Sequence, residues 1–322
     1  MKAPMRMLAA FALSLVSGCH TASFNTSPPM GEGTARQASK SVQTPETVVE
    51  SLNRLYNDDQ DDCREIGTNL PRGHYYCSGV LIRATSDGDY LPWTHSPAAI
   101  AKGATSFSWV RKDMHPTMML TPSGFILRNA REGERYGLPG YDAGLICVYP
   151  FDASTAGNMH HNGCGRISGK PTIHRVYPQP SIPHHNAAYA WGSCEDIGIS
   201  TAPEWLDYTG DLSGGDTRVQ CSWNVDNQDG WKYAIAIKHQ YPTLHFLWNE
   251  LLMATVDDGY PLKDYIPAVF LYAPALAEGL EPARNFQRKL AANGNSVPIV
   301  RLDFQAPRPF SYHAEDQAIP QP

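Results

Sequence analysis

The sequence predicts an α+β fold: mixed sheets with short helices, an α/β-like C-terminal third, and three disulfide staples. Three observations carry this. Short apolar runs of strand type recur between Gly-, Pro-, His- and Asn-rich segments through the middle of the chain. The last third alternates strand-like and helix-like patterns, the order that builds parallel pairs with helical crossovers. Of the seven cysteines, six (Cys63, Cys77, Cys147, Cys164, Cys194 and Cys221) fall within the body, an even set suited to stapling a loop-rich domain.

The elements follow in order. In "TPETVVESLNRLYNDD", Thr44 is placed to cap a helix and Pro45 to occupy its first turn. Val48, Leu52, Leu55 and Tyr56 then share one helical face. A cysteine-bounded loop leads into "YYCSGVLIRAT", a strand whose apolar run Val80-Leu81-Ile82 ends on a lone charge, Arg83. "SPAAIAKG" has a Ser-Pro start and a glycine stop, and predicts a short helix. "ATSFSWV" predicts a strand, as do residues 124–128, 143–151, 218–224 and 231–239. A helix is expected over 242–256, a buried strand over 266–273, a helix over 281–294 ending at Gly294, and a strand over 297–304. Residues 44–305 read as a single α+β domain, and 306–322 as a Pro-rich tail lying loose or against the surface.

The 322 residues are 42% hydrophobic and 18% charged, enough for a sizeable core. The net charge of −6 gives no basic footprint for nucleic acid, but leaves room for a local positive pocket. Lys2 and Arg6 precede a short apolar stretch that ends in Val16-Ser17-Gly18-Cys19. This reads as a signal peptide over 1–18 with a lipobox, in which Cys19 takes the lipid. An ordinary signal peptide with a chance cysteine is the plainer alternative. His20 after the cysteine favours an outer-membrane lipoprotein; otherwise the product is periplasmic or secreted. Residues 19–43 read as a disordered tether. Neighbour pairing of the six remaining cysteines (63–77, 147–164, 194–221) is the simplest connectivity, though spacing does not fix it. Each bridge would close a loop of roughly 15 to 27 residues, contributing about 3 kcal/mol.

Arg83 is the first candidate site residue. On an extended segment it shares a face with Leu81, opposite Val80, Ile82 and Ala84. Arginine is rarely buried without a partner, and its planar fork suits phosphate or carboxylate. A strand-end arginine that reaches solvent or a structural aspartate is the bland reading. Downstream come Trp93, Ser96-Pro97, Gly103 and "TSFSWVRKD", with Ser106 and Ser108 on alternate positions.

That order of strand arginine, Pro-capped helix, glycine and Ser-aromatic-Ser strand resembles the start of mono-ADP-ribosyltransferase folds. A longer resemblance is to the secreted bacterial halovibrins. It runs through "NRLYNDDQDDC", "YYCSGVLIRAT", "SPAAIAKGATSFSWVRKD", "VYPFDA", "GCG", "WNELL" and "IPAVFLYAPALAEGLEPARNFQRKLAANGNSVPIVRLD". The resemblance implies an enzyme that cleaves NAD at the nicotinamide–ribose bond, as a glycohydrolase or an ADP-ribosyltransferase. It implies that Arg83 binds the NAD phosphates or ribose, and that Ser106 and Ser108 line the ribose pocket. Trp109, or Trp248, is expected to stack on a base. NAD is then a substrate, no cofactor is expected, and the acceptor is water or a protein.

Such cleavage passes through an oxocarbenium-like state and needs a carboxylate. Glu250 in "LWNELL" is the first choice, on the helix expected over 242–256; an exposed amphipathic stripe is its bland reading. Glu132 and Glu134 in "REGERYG" come second, with a solvated turn as the alternative. Glu204 reads as a helix-start residue. The adjacent pairs His160-His161 and His184-His185 diverge in any regular element, so they read as loop histidines and no metal is expected. "NDDQDDC" lacks the glycine and closing glutamate of a calcium loop and reads as a solvated helix end. A rival function from another class is a non-catalytic surface lipoprotein whose 16 tyrosines and 7 tryptophans contact host or envelope protein and carbohydrate.

Overall fold

Thr44 caps the first helix, α1 (Pro45–Asn57), by accepting a bond from the Thr47 N–H at 3.4 Å. Val48, Leu52, Leu55 and Tyr56 form its buried stripe, as their helical spacing predicts. These positions belong to a computed structural model that describes residues 44–64, 69–85, 104–117, 119, 121–127, 145–152, 193–195, 197–210, 220–241, 248–254 and 266–320. The signal peptide, lipobox, tether and the helix expected from "SPAAIAKG" lie outside these residues.

After α1, β1 (Cys63–Arg64) and β2 (Pro71–Arg72) pair in a small antiparallel ribbon. A disulfide from Cys63 to Cys77 ties it to the turn at His74–Tyr76. Gly79 follows with φ of +70°, a conformation that costs other residues dearly. A Cβ there would sit 2.1 Å from the indole nitrogen of Trp109, so the bend and the packing both require glycine.

Among the described residues, nine strands then make one sheet, in the order β11-β10-β9-β5-β3-β4-β8-β6-β7. They are β3 (Val80–Ala84), β4 (Ala104–Val110), β5 (Ser123–Leu127), β6 (Leu145–Tyr149), β7 (Trp223–Asn224), β8 (Glu250–Ala254), β9 (Ala268–Tyr272), β10 (Ile299–Leu302) and β11 (Phe310–Tyr312). Among the described residues the α-helices are α1, α2 (Ala202–Thr209), α3 (Gln228–Gln240) and α4 (Leu276–Ala292). Val80, Ile82, Val110, Ile126 and Phe270 face α1. Leu81, Phe107, Phe125, Leu251 and Leu271 pack on the other side with Trp231, Phe286 and Leu290 of the later helices. The sheet therefore carries apolar side chains on both faces, which is why β9 and the Val80–Ile82 stretch of β3 read as unbroken apolar runs.

The mixed α and β content matches the predicted class, but the C-terminal third is only partly α/β. β9, α4 and β10 form a parallel pair with a helical crossover. The other pairs described are antiparallel. Two expectations fail just upstream. Residues 231–239 form helix α3, not a strand. Trp231, Ala234, Ile237 and Lys238 are buried at helical spacing, although Trp231, Tyr233, Ile235 and Ile237 also alternate. Asn227 decides the case locally by capping α3 through Gly230 N–H at 3.1 Å. Conversely, residues 250–254 form strand β8, not part of a helix over 242–256. Of the strand predicted over 218–224, residues 220–224 are described, and among them Trp223 and Asn224 are strand.

α4 begins earlier than expected, at Leu276, with Pro282 inside it, and stops before Gly294 at φ +85°. The tail is built into the sheet. β11 pairs with β10, Phe310 is buried, and the Gln317 amide bonds both the N–H and C=O of Ile299.

Two disulfides stand among the described residues, Cys63–Cys77 and Cys194–Cys221, both as neighbour pairing predicts. Cys147 is also disulfide-bonded. Its expected partner, Cys164, lies outside the described residues, so the third predicted staple is not among those seen. Disulfides of this kind belong to an oxidising, extracytoplasmic setting. No helix among the described residues is long and apolar enough to cross a membrane.

Candidate active site

The three strands that carry the predicted site residues lie side by side: β3 with Arg83, β4 with Ser106 and Ser108, and β8 with Glu250. Antiparallel pairing sets Ser106 opposite Leu252 and Phe107 opposite Leu251. Continued by one step, that register sets Ser108 opposite Glu250. Side chains opposite one another share a face, so Ser106, Ser108 and Glu250 emerge on the same side of the sheet. The Ser106 hydroxyl donates to Glu250 Oε1 across the diagonal. Glu250 is buried, 3% exposed, although it is a carboxylate at the mouth of a strand. A buried carboxylate needs such a donor, because its desolvation is otherwise uncompensated.

Ser108 does something different. Its hydroxyl donates to the main-chain oxygen of Asn249 at 2.9 Å. Asn249 is itself buried and answers with its side chain. Its Oδ1 accepts from Trp109 N–H at 2.8 Å, and its Nδ2 donates to the oxygens of Trp109 at 2.5 Å and Met114 at 3.3 Å. The expectation for "LWNELL" names Glu250 and not its neighbour Asn249. A polar pair opening an apolar run was the available signal for Asn249.

Arg83 reaches this site by another route. It lies opposite Phe125 in the sheet, and its guanidinium sits over the Phe107 ring at 5.7 Å. Its side chain therefore starts on the face away from the serine hydroxyls, as the alternation with Val80 and Ile82 requires. Nη1 donates to the main-chain oxygen of Ser106 at 2.9 Å. Arg83 thus meets Ser106 at the backbone. A single cleft shared on one face by the guanidinium and both hydroxyls does not form.

Trp109 is a correction. It is 0% exposed, its indole N–H donates to Ser78 O at 2.8 Å, and it packs edge-on against Trp231. It is a core residue with no face for a base. Trp248 is also buried, as are Trp205, Trp223 and Trp231, which removes the described tryptophans from any contact surface. Glu204 is the expected helix-start residue: Thr201 caps α2, and Glu204 accepts from Ser200 N–H at 2.7 Å. Glu132, Glu134 and both histidine pairs lie outside the described residues.

The acidic run after α1 is more than a solvated helix end. Asp61 Oδ1 lies 2.9 Å from both Arg111 Nη1 and His74 Nε2. Arg111, 2% exposed, also grips Asp113 with two bonds of 2.7 Å and sits over Trp109. The sequence hinted at it: Arg111 directly follows β4, as Arg83 follows the apolar run Val80–Ile82 within β3.

His74 is fully buried and stacks on Trp231. Burial pushes its pKa from 6.5 down to about 4; Asp61 opposes the shift, while Arg111 and Lys232 add to it. The unfolded chain binds this proton at higher pH than the native state does. Stability is thus fully present above pH 6.5 and is lost as pH falls toward 4, by about 3 kcal/mol. Urea midpoints measured at pH 7 and at pH 4.5 should show the loss, and His74→Phe should flatten the dependence over that range.

No group of histidine, cysteine and carboxylate side chains among the described residues is arranged to hold a metal ion. No protein-family model matches the chain, and no curated protein matches it. The class defined by the fold and site is an α+β protein with a mixed sheet, in which adjacent strands bring a serine to a buried glutamate.

Proposed function

We propose that the protein is an exported, halovibrin-type enzyme that cleaves NAD at the nicotinamide–ribose bond. The observation that carries this reading is the Ser106–Glu250 hydrogen bond, made between neighbouring strands with the Arg83 strand alongside. A carboxylate held by a serine hydroxyl keeps its position as charge develops beside it.

In the proposed reaction, the bond from ribose C1′ to the nicotinamide nitrogen breaks. The electron pair goes to the ring, and neutral nicotinamide leaves. Glu250 faces the oxocarbenium-like ribose and stabilises its positive charge. Water attacks C1′ and releases a proton to solvent, yielding ADP-ribose; a protein acceptor in place of water, losing its own proton in the same way, makes the step a transfer. Ser106 orients Glu250. Arg83, near the C-terminal end of β3 and braced on the Ser106 carbonyl, holds the diphosphate around the end of that strand. The chain is anchored in the outer membrane through a lipid on Cys19, or is otherwise periplasmic or secreted.

The test is turnover of etheno-NAD, followed by fluorescence, with the purified protein. Absence of turnover at high protein concentration rejects the enzyme in favour of a non-catalytic surface lipoprotein. Arg83→Lys keeps the charge and loses the fork. It should lower kcat/KM by about 10-fold to 100-fold, the size of one charge-assisted hydrogen bond. An unchanged kcat/KM removes Arg83 from the site.

A further inference from the structure

The β4–β8 ladder has a feature that its register does not explain. Main-chain pairing runs from Ala104 opposite Ala254 to Phe107 opposite Leu251. At the next two positions, side chains take over. Asn249 presents an acceptor and a donor to the N–H and C=O of Trp109, as a main-chain partner would. Ser108, opposite Glu250, spends its hydroxyl on the carbonyl of the peptide that joins Asn249 to Glu250.

We propose that Asn249 and Ser108 are positioning residues that clamp this peptide and so aim the Glu250 carboxylate at Ser106. The clamp holds at three points. The Asn249 amide fixes the strand entry against Trp109. Its second contact, to the Met114 oxygen, ties that entry to the turn after β4. Ser108 fixes the carbonyl immediately before Glu250. With both ends of the Asn249 residue held, Glu250 enters β8 in one orientation, and its side chain spans the diagonal to Ser106 rather than meeting Ser108 directly. The clamp also divides the labour of the two serines: Ser106 holds the carboxylate, and Ser108 holds the backbone beneath it. Trp109 contributes by its main chain as the anchor, while its ring fills the core.

The assignment of Glu250 as the reacting carboxylate rests on the NAD reading; the clamp itself rests on the hydrogen bonds. The experiment keeps the two apart. Full-length protein carrying carbon-13 in its glutamate carboxyls is compared as wild type, Ser108→Ala, Ser108→Thr and Asn249→Ala, with Glu250→Gln identifying the resonance. Ser108→Ala should shift the Glu250 carboxyl resonance, and Ser108→Thr, which keeps the hydroxyl, should restore it. With etheno-NAD, Ser108→Ala should lower kcat by about 10-fold, the cost of one hydrogen bond, and leave KM within two-fold. Asn249→Ala strips Trp109 of its buried partners and is expected to unfold readily; Ser108→Ala decides the matter if it does. A folded Ser108→Ala protein with an unmoved Glu250 resonance overturns the clamp. A shifted resonance in a protein that never turns over NAD keeps the clamp and overturns the NAD reading.

Discussion

Glu250→Gln should reduce etheno-NAD turnover by about 100-fold to 1,000-fold while leaving the thermal midpoint nearly unchanged. The magnitude is that of removing one preorganised electrostatic contact from a reacting centre. Glutamine keeps the shape of glutamate and still offers an oxygen to Ser106 Oγ, the contact that now satisfies Glu250 Oε1. What disappears is the negative charge facing the ribose as C1′ turns cationic. Because an uncharged amide is easier to bury than a carboxylate, the fold has no reason to weaken. Loss of rate with a retained midpoint therefore marks a group that acts on the reaction. Loss of both would mark Glu250 as a structural residue, and unchanged turnover would exclude it from catalysis.

The largest effect on stability is expected at Arg111. Arg111→Met should cost about 3 kcal/mol, read as a lower denaturant midpoint at pH 7. Breaking a buried ion pair by deleting one partner costs roughly 3–5 kcal/mol, because the remaining charges lose their compensation. Asp113 and Asp61 have side chains 27% and 46% exposed, so water recovers part of that loss and the lower end applies. Methionine fills much of the volume over the Trp109 ring, so the change reports mainly on charge. Arg111→Lys should fall between, since one ammonium cannot replace the fork that bonds both oxygens of Asp113. A cost below about 0.5 kcal/mol, the usual range for surface substitutions, would mean that the cluster is solvated in solution.

Much of the fold was legible where local signals agree. Thr44, Pro45 and the Val48–Leu52–Leu55–Tyr56 stripe specify α1 without help from the rest of the chain. β3, β4, β6, β9 and β10 all fall within the predicted runs, and β5 starts one residue before its run. The misreadings arise where the apolar pattern does not show the period of the element. Leu251 and Leu252 are both buried, one on each face of a central strand, so β8 shows neither alternation nor helical period. In α3, Ala234 hides the helical period while the larger residues happen to alternate. The site divides in the same way. Arg83, Ser106, Ser108 and Glu250 were visible as charges and hydroxyls in apolar company; Trp109 was misassigned because an aromatic between two serines looks the same in a pocket and in a core.

By itself, the sequence determined the class, an even set of body cysteines, the first helix, most strands, and which face of β3 Arg83 occupies, while the pairing of those cysteines came from the structure. These follow from short-range rules: capping, period-two alternation and cysteine count. The tertiary structure alone decided that Glu250 begins a strand, that this strand lies against the serines, and that Arg83 meets Ser106 through its backbone. The Ser106–Glu250 contact joins residues 144 positions apart, and the Arg111 cluster joins the end of β4 to Asp61, 50 residues earlier. Strand order and register create such meetings, and nothing in the local composition of either segment encodes the other.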